Sequence, residues 1–184
     1  MRWQALFDDL EAQFDAAQAA ELAAEVAERT RRESALLRLV DRLRAAEGAL
    51  VTVSLPGAGV LRGRLLDAGA DWLLLDEGAA REVLVPLAAV LGVTGMGSRS
   101  AAPDFGPVAK RLDLRWALRG LARSRSGVSL GLVDGTLVTG TLDRVAKDHL
   151  DLAEHGLGEA RRAGAVRQVR LVPLAAVAYV RSSG

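Results

Sequence analysis

The spacing of hydrophobic positions divides the chain into zones. Residues 6–47 contain no Pro and no Gly; Ala, Glu, Leu and Arg dominate up to Gly48, a good helix stop. Phe7, Leu10, Phe14 and Ala17 recur at spacings of three and four, which places them on one helical face. Leu36, Leu39, Val40 and Leu43 form a second apolar stripe, and between the two only Leu22 and Val26 are large and apolar. One helix of this length would run roughly 60 Å at 1.5 Å per residue, too long to pack wholly on one small domain. The expectation is therefore a break near Thr30 or a projecting coiled-coil arm, whose stripe either packs within the chain or joins chains together.

Beyond residue 50 the period falls from near four to two. Alternation predicts strands at 51–55, 60–66, 72–75, 82–85 and 90–94. Pro56-Gly57-Ala58-Gly59 and Glu77-Gly78 supply turns, and Gly63 stands inside the second strand, where a missing side chain permits a sharp bend. Gly95, Gly97, Ser98, Ser100 and Pro103 mark a linker, and Gly106-Pro107 opens a helix to about Arg123. Strands are then predicted at 128–132, 137–142, 149–152, 169–172 and 177–180, with Asp134-Gly135 as a hairpin turn.

The second strand zone restates the first. Val85-Pro86-Leu87-Ala88-Ala89-Val90 recurs as Val172-Pro173-Leu174-Ala175-Ala176-Val177. Gly63-Arg64-Leu65 answers to Gly140-Thr141-Leu142, and Asp71-Trp72-Leu73-Leu74-Leu75 to Asp148-His149-Leu150-Asp151-Leu152, both at an offset of 77 residues. The Val-Pro-Leu pair is 87 apart, so the second copy carries an insertion of ten residues after Leu152. A repeat of this kind decides for two similar units. Each, at roughly 65 residues, sits near the lower limit for independent folding, so the copies are expected to bury surface against each other or against a partner chain.

Composition narrows the function classes. Half of the 184 residues are hydrophobic, enough for real cores, and the absence of cysteine excludes a disulfide scaffold and thiolate metal ligands. No stretch approaches the ~18 apolar residues of a spanning helix. The opening Met1-Arg2-Trp3-Gln4 leads into acidic residues and is not read as a signal peptide, so the expectation is a cytoplasmic protein with no membrane partner. The net charge of +1 hides an asymmetry: residues 1–28 hold seven acids against Arg2 alone, and residues 99–125 hold seven bases against Asp104 and Asp113. Such a split suits an acidic protein-binding arm beside a basic surface, and it equally suits helices with charged outer faces.

The segment Asp134-Gly135-Thr136-Leu137-Val138-Thr139-Gly140-Thr141-Leu142, followed by Asp148, resembles the first motif of the Sm-like family, in which an Asp-Gly turn precedes a bend glycine. Other SH3-like barrels share this pattern. The resemblance covers both strand zones and implies an α+β fold: a long N-terminal helix followed by two repeated helix-plus-five-strand SH3-like or Sm-like small barrels. Together with the helical zone and the linker residues above, it divides the chain into a helical arm over 1–34, a first barrel with its leading helix over 35–95, a linker over 96–106, and a second barrel with its leading helix over 107–184. It also implies assembly, since members of the family pair the fourth strand of one barrel with the fifth of the next, and many bind single-stranded RNA. The family's RNA-contact asparagine falls on Leu73 and Leu150, and its Arg-Gly pair is replaced by Val85-Pro86 and Val172-Pro173. Trp72 and His149 are the residues left to offer a stacking face.

Catalytic chemistry finds little support. His149 and His155 are the only histidines; Asp148, Asp151 and Glu154 are near, but in an extended strand Asp148 and His149 are expected on opposite faces. No serine sits in a Gly-X-Ser-X-Gly turn, and Gly95-Met96-Gly97 lacks the Lys and Ser or Thr of a phosphate loop. The expectation is no catalytic residue, no metal and no cofactor. The basic signal is stronger. Arg111, Arg115, Arg119 and Arg123 recur every four residues on the second leading helix, and Arg161, Arg162, Arg167 and Arg170 cluster in or beside the insertion. Such rows neutralise phosphates without reading sequence; they also make a solvated helix face if Leu114, Trp116, Leu118 and Leu121 pack inward. The expected function is a non-catalytic module on an RNA or DNA backbone, through Arg111, Arg115, Arg119, Arg123, Arg161 and Arg162 with Trp72 and His149. The alternative is a protein-interaction scaffold using the N-terminal helix and the barrel edges. Apolar strand edges at 83–85, 90–93, 171–172 and 177–180 carry no lysine gatekeeper, which predicts a homo-oligomer.

Overall fold

A computed structural model describes residues 2–79, 81–101, 112–156, 164 and 166–182. The chain forms two compact units, Met1–Arg38 and Leu39–Gly184.

In the first unit, helix α1 spans Arg2–Ala35 without interruption. Of the two alternatives, a break near Thr30 is not seen, since the Thr30 hydroxyl donates to the Val26 carbonyl at 2.8 Å, one turn back; the helical zone is interrupted instead at 36–38. Ala-rich sequence with no Gly or Pro gives the backbone no reason to stop. Arg29–Glu33 at 3.0 Å and Arg32–Glu28 at 3.2 Å add pairs at the four-residue spacing that supports a helix. The helix ends where Leu36 and Leu37 donate to the Glu33 and Ser34 carbonyls three residues back. Phe7, Leu10 and Phe14 are exposed.

In the second unit, helix α2 (Leu39–Ala45) leads into strands β1 (Leu50–Leu55), β2 (Gly59–Ala68), β3 (Trp72–Asp76), β4 (Glu82–Pro86) and β5 (Gly92–Thr94). Helix α3 (Leu114–Ser124) leads into β6 (Gly127–Leu132), β7 (Leu137–Val145), β8 (His149–Glu154), β9 (Gln168–Pro173) and β10 (Val177–Ser182). Of the second apolar stripe, Val40 and Leu43 are buried and Leu36 and Leu39 are exposed.

All ten strands belong to one antiparallel sheet in the order β5-β1-β2-β3-β4-β10-β6-β7-β8-β9. The strands therefore do not make two separate closed sheets. They join through β4 and β10, where Val180 faces Leu84 and Arg181 faces Val83, and the sheet as a whole is open, with β5 and β9 at its ends. The two halves of the order nonetheless match strand for strand. Gly63 faces Val51 as Gly140 faces Val128, and Leu65 faces Leu75 as Leu142 faces Leu152. A bulge follows each pair, between Leu65 and Asp67 and between Leu142 and Arg144, adding curvature at the same place in both copies. Each Val-Pro-Leu segment passes into one turn of 3-10 helix, at Leu87–Ala89 and Leu174–Ala176.

Two cores flank the junction, and each borrows from the other half. Ala178 and Tyr179 of β10 pack with Val53, Leu65 and Leu75; Trp72 and Leu84 of the first half pack with Leu118, Leu130 and Leu152. The junction is also tied from outside, by a two-pronged contact of Arg181 with Glu77 at 2.9 and 3.0 Å. The expectation that the copies bury surface against each other is met.

Candidate functional site

Helix α3 is anchored at its start by the first half of the chain. Asp113 is the N-cap, its carboxylate accepting the Trp116 N–H at 2.8 Å. The Asp71 carboxylate, just before β3, accepts the Leu114 N–H at 2.7 Å, and the Trp72 indole N–H donates to the Leu112 carbonyl at 2.8 Å. Leu114 and Leu118 are buried against the sheet, so the arginine row faces outward. Trp116 does not pack inward as expected; it is 48% exposed.

The row is not uniform. Arg115 is held by the Asp113 carboxylate through two hydrogen bonds at 2.8 and 2.6 Å. Burial alone would raise the Asp113 pKa. The hydrogen bonds from Arg115 and Trp116, with the charges of Arg115 and Arg119, outweigh that and hold it below the usual 3.8. Arg119 and Arg123 lie free of carboxylates within 4.0 Å among the described residues. They line a groove of about 690 Å³ with Arg125, Arg144, Asp143, Ala122, Leu142 and Val145.

Two features bring these side chains together. The helix stops at Arg125, which adopts the left-handed conformation at φ 52° and turns the chain back toward β6. The bulge after Leu142 carries Asp143 and Arg144 to the groove at the far end of β7. Four guanidinium groups face one carboxylate there, and the C-terminal end of α3 subtracts only about half a charge more. Arg144 also lies 3.8 Å from Asp151. Even with that pair discounted, the groove keeps a positive charge on the order of +2. Sequence reading missed Arg125 and Arg144. Arg125 extends the helical row past its end, but nothing local marks Arg144, whose partners stand on another element.

The remaining expected residues fall apart in space. Trp72 is 6% exposed and its N–H is committed to Leu112, so it is a core side chain and not an open stacking face. Its counterpart His149 is half-buried; its Nδ1 hydrogen-bonds Asp148 at 2.7 Å and its Nε2 lies 3.9 Å from Asp151. The two side chains thus meet, contrary to the expectation for an extended strand, because Asp148 lies before β8, which begins at His149. The His149 hydrogen bond, as the largest effect, lowers the Asp148 pKa. Asp151 stands between His149 and Arg144, so the imidazole borders the groove. Arg170 is paired with Glu154, whose pKa that hydrogen bond lowers. Arg111, Arg161 and Arg162 lie outside the described residues, as does most of the insertion.

His155 is buried, with Nε2 2.8 Å from the Thr141 hydroxyl and Nδ1 2.9 Å from the Gly156 carbonyl. A carbonyl only accepts, so Nδ1 carries a proton, and both ring nitrogens are satisfied at the end of the strand. Among the described residues no group of three or more His, Asp or Glu side chains stands close enough to hold a metal ion. None of the helices described is long and apolar enough to cross a membrane. No family model matches the chain, and no curated protein matches it in sequence.

Proposed function

We propose that this protein is a non-catalytic tandem of Sm-like small barrels that binds the backbone of single-stranded RNA or DNA. The observation that carries the reading is the groove lined by Arg119, Arg123, Arg125 and Arg144. Guanidinium groups that outnumber the carboxylates beside them favour phosphate oxygens, and contacts of this kind give affinity without reading bases. Among the described residues His149, at the groove's border, is the aromatic placed to stack on a base. The Sm-like reading is supported by the strand order within each half, in which the fifth strand pairs with the first and the fourth lies at the other edge.

The test is anisotropy of a labelled single-stranded oligonucleotide across a salt series. Affinity should fall steeply with salt. The variant carrying Arg119→Glu, Arg123→Glu and Arg125→Glu, checked for fold by circular dichroism, should lose binding. Single Arg→Ala changes should lower the slope by about 0.7 for each phosphate no longer neutralised. Unchanged affinity in the triple variant sinks the proposal.

A second reading has its own support. Trp3, Phe7, Leu10 and Phe14 recur along one face of α1 and are all exposed among acidic neighbours, which suits docking of a protein partner. Self-association has support at the sheet ends. The strand in fourth place of the first half pairs with the strand in fifth place of the second, and the same combination, β9 and β5, is left at the two ends. Repeating that pairing between chains makes a head-to-tail homo-oligomer. Light scattering on the full chain and on a chain beginning at Ser34 separates the routes: assembly lost only on truncation assigns it to α1, and two monomers at tens of micromolar end the idea.

A further inference from the structure

A cavity of about 370 Å³ opens on a different surface, lined by residues of α3 and of β2, β3, β4 and β10. Its volume lies in the range of small-molecule sites. The walls are Trp72, Trp116, Leu74, Leu84, Leu121 and Val180, and among the described residues the charged side chains lining it are Asp67 and Glu82. Among the described residues no lysine, arginine or histidine lines it, although arginine is the commonest charged residue of the chain. Trp72 is fixed by its hydrogen bond to Leu112, whereas Trp116 is 48% exposed and its indole N–H has no partner among the described residues.

Gly120 is the second observation. It stands inside α3, where glycine weakens a helix, and no positive φ requires it there. A Cβ built on it meets nothing within 4 Å. Gly120 lines the cavity, so what its missing side chain provides is open volume.

We propose that this cavity binds a small organic cation, an apolar or aromatic body carrying a positively charged nitrogen. The aliphatic walls and the edge of Trp72 take the body, the exposed indole of Trp116 attracts the cationic nitrogen, and Asp67 and Glu82 complete the charge match. The same carboxylates repel phosphates, so this site is distinct in chemistry from the arginine groove and does not depend on it.

The test titrates the full chain by calorimetry with three probes of one size: 2-phenylethylammonium, neutral 2-phenylethanol and anionic phenylacetate. The cation should bind saturably and at least tenfold more tightly than the alcohol, and the anion should show no saturable binding. Asp67→Asn with Glu82→Gln, at two exposed positions, should bring cation and alcohol to equal affinity. Gly120→Leu, a change from a poor to a good helix former, should fill the cavity and abolish binding of both. Equal affinity of cation and alcohol in the unmodified protein overturns the assignment, as does unchanged cation binding in Gly120→Leu or no saturation by tens of millimolar cation. A lysine-containing octapeptide titrated in parallel separates a free ligand from a side chain delivered by another protein. Tighter binding of the peptide than of the free cation overturns the assignment to a small molecule.

Discussion

Gly63 and Gly140 occupy equivalent places in the two halves, and each is predicted to reject even a methyl group. At Gly63 an added Cβ would stand 2.6 Å from the Asp76 carbonyl oxygen, 3.0 Å from its carbon and 3.3 Å from the Leu75 Cβ. Real Cβ atoms essentially never approach within 3.0 Å, and the obstacle here is backbone, which cannot rotate away. To regain 3.0 Å, β2 and β3 must part by at least 0.4 Å beside the Arg64–Asp76 pair. Overpacking of this kind costs about 1–3 kcal/mol, and a weakened ladder hydrogen bond adds on the order of 1 kcal/mol. The expectation for Gly63→Ala is therefore a loss of about 2–3 kcal/mol, and Gly140→Ala, which approaches the Ala153 carbonyl more closely still, should lose no less. In a domain of this size such a loss lowers Tm by roughly 4–12 °C. Urea unfolding followed by circular dichroism measures it. Gly92→Ala on β5 is the control, because a Cβ there meets nothing within 4 Å. If Gly63→Ala and Gly140→Ala both fall within about 0.5 kcal/mol of Gly92→Ala, the close approach of the strands is wrong and the equivalence of the two halves loses its physical basis.

Three other outcomes are expected. Asp113→Ala should cost about 1–2 kcal/mol in urea unfolding at neutral pH, through loss of the α3 cap. Because the folded pKa of Asp113 is depressed, the stability it contributes is fully present above 3.8 and is lost as pH falls through the folded value. The gap between wild type and Asp113→Asn should therefore close in acid, and a gap that widens below pH 3.8 refutes the sign. Arg181→Ala and Glu77→Ala should each cost about 1–2 kcal/mol and couple in a double-mutant cycle, since their two-pronged contact is partly buried; purely additive losses count against it. Trp72→Phe should cost about 1–3 kcal/mol by leaving the Leu112 carbonyl unpaired, yet leave oligonucleotide affinity unchanged, and a large loss of affinity would return Trp72 to the binding surface.

The linear pattern by itself determined the elements and their duplication. Alternation at period two located every strand to within a few residues, and the 77-residue offset predicted which ladder positions correspond, because pleat, bend glycine and turn are local properties of a short stretch. Tertiary structure alone decided how the copies are joined. The sequence marked 83–85 and 177–180 only as two of four apolar edges in need of a partner; that these two meet within the chain follows from packing on both faces of the junction. The same holds for Trp72 and His149, which share a place in the repeat: α3 lies over one and buries it, while the other stays half-exposed beside a groove. It holds most of all for the groove, where Arg125 and Arg144 meet the predicted Arg119 and Arg123 only because a left-handed residue and a strand bulge turn separate segments toward one another. Charge is written along the chain, but the field it makes depends on distances that only the folded backbone sets.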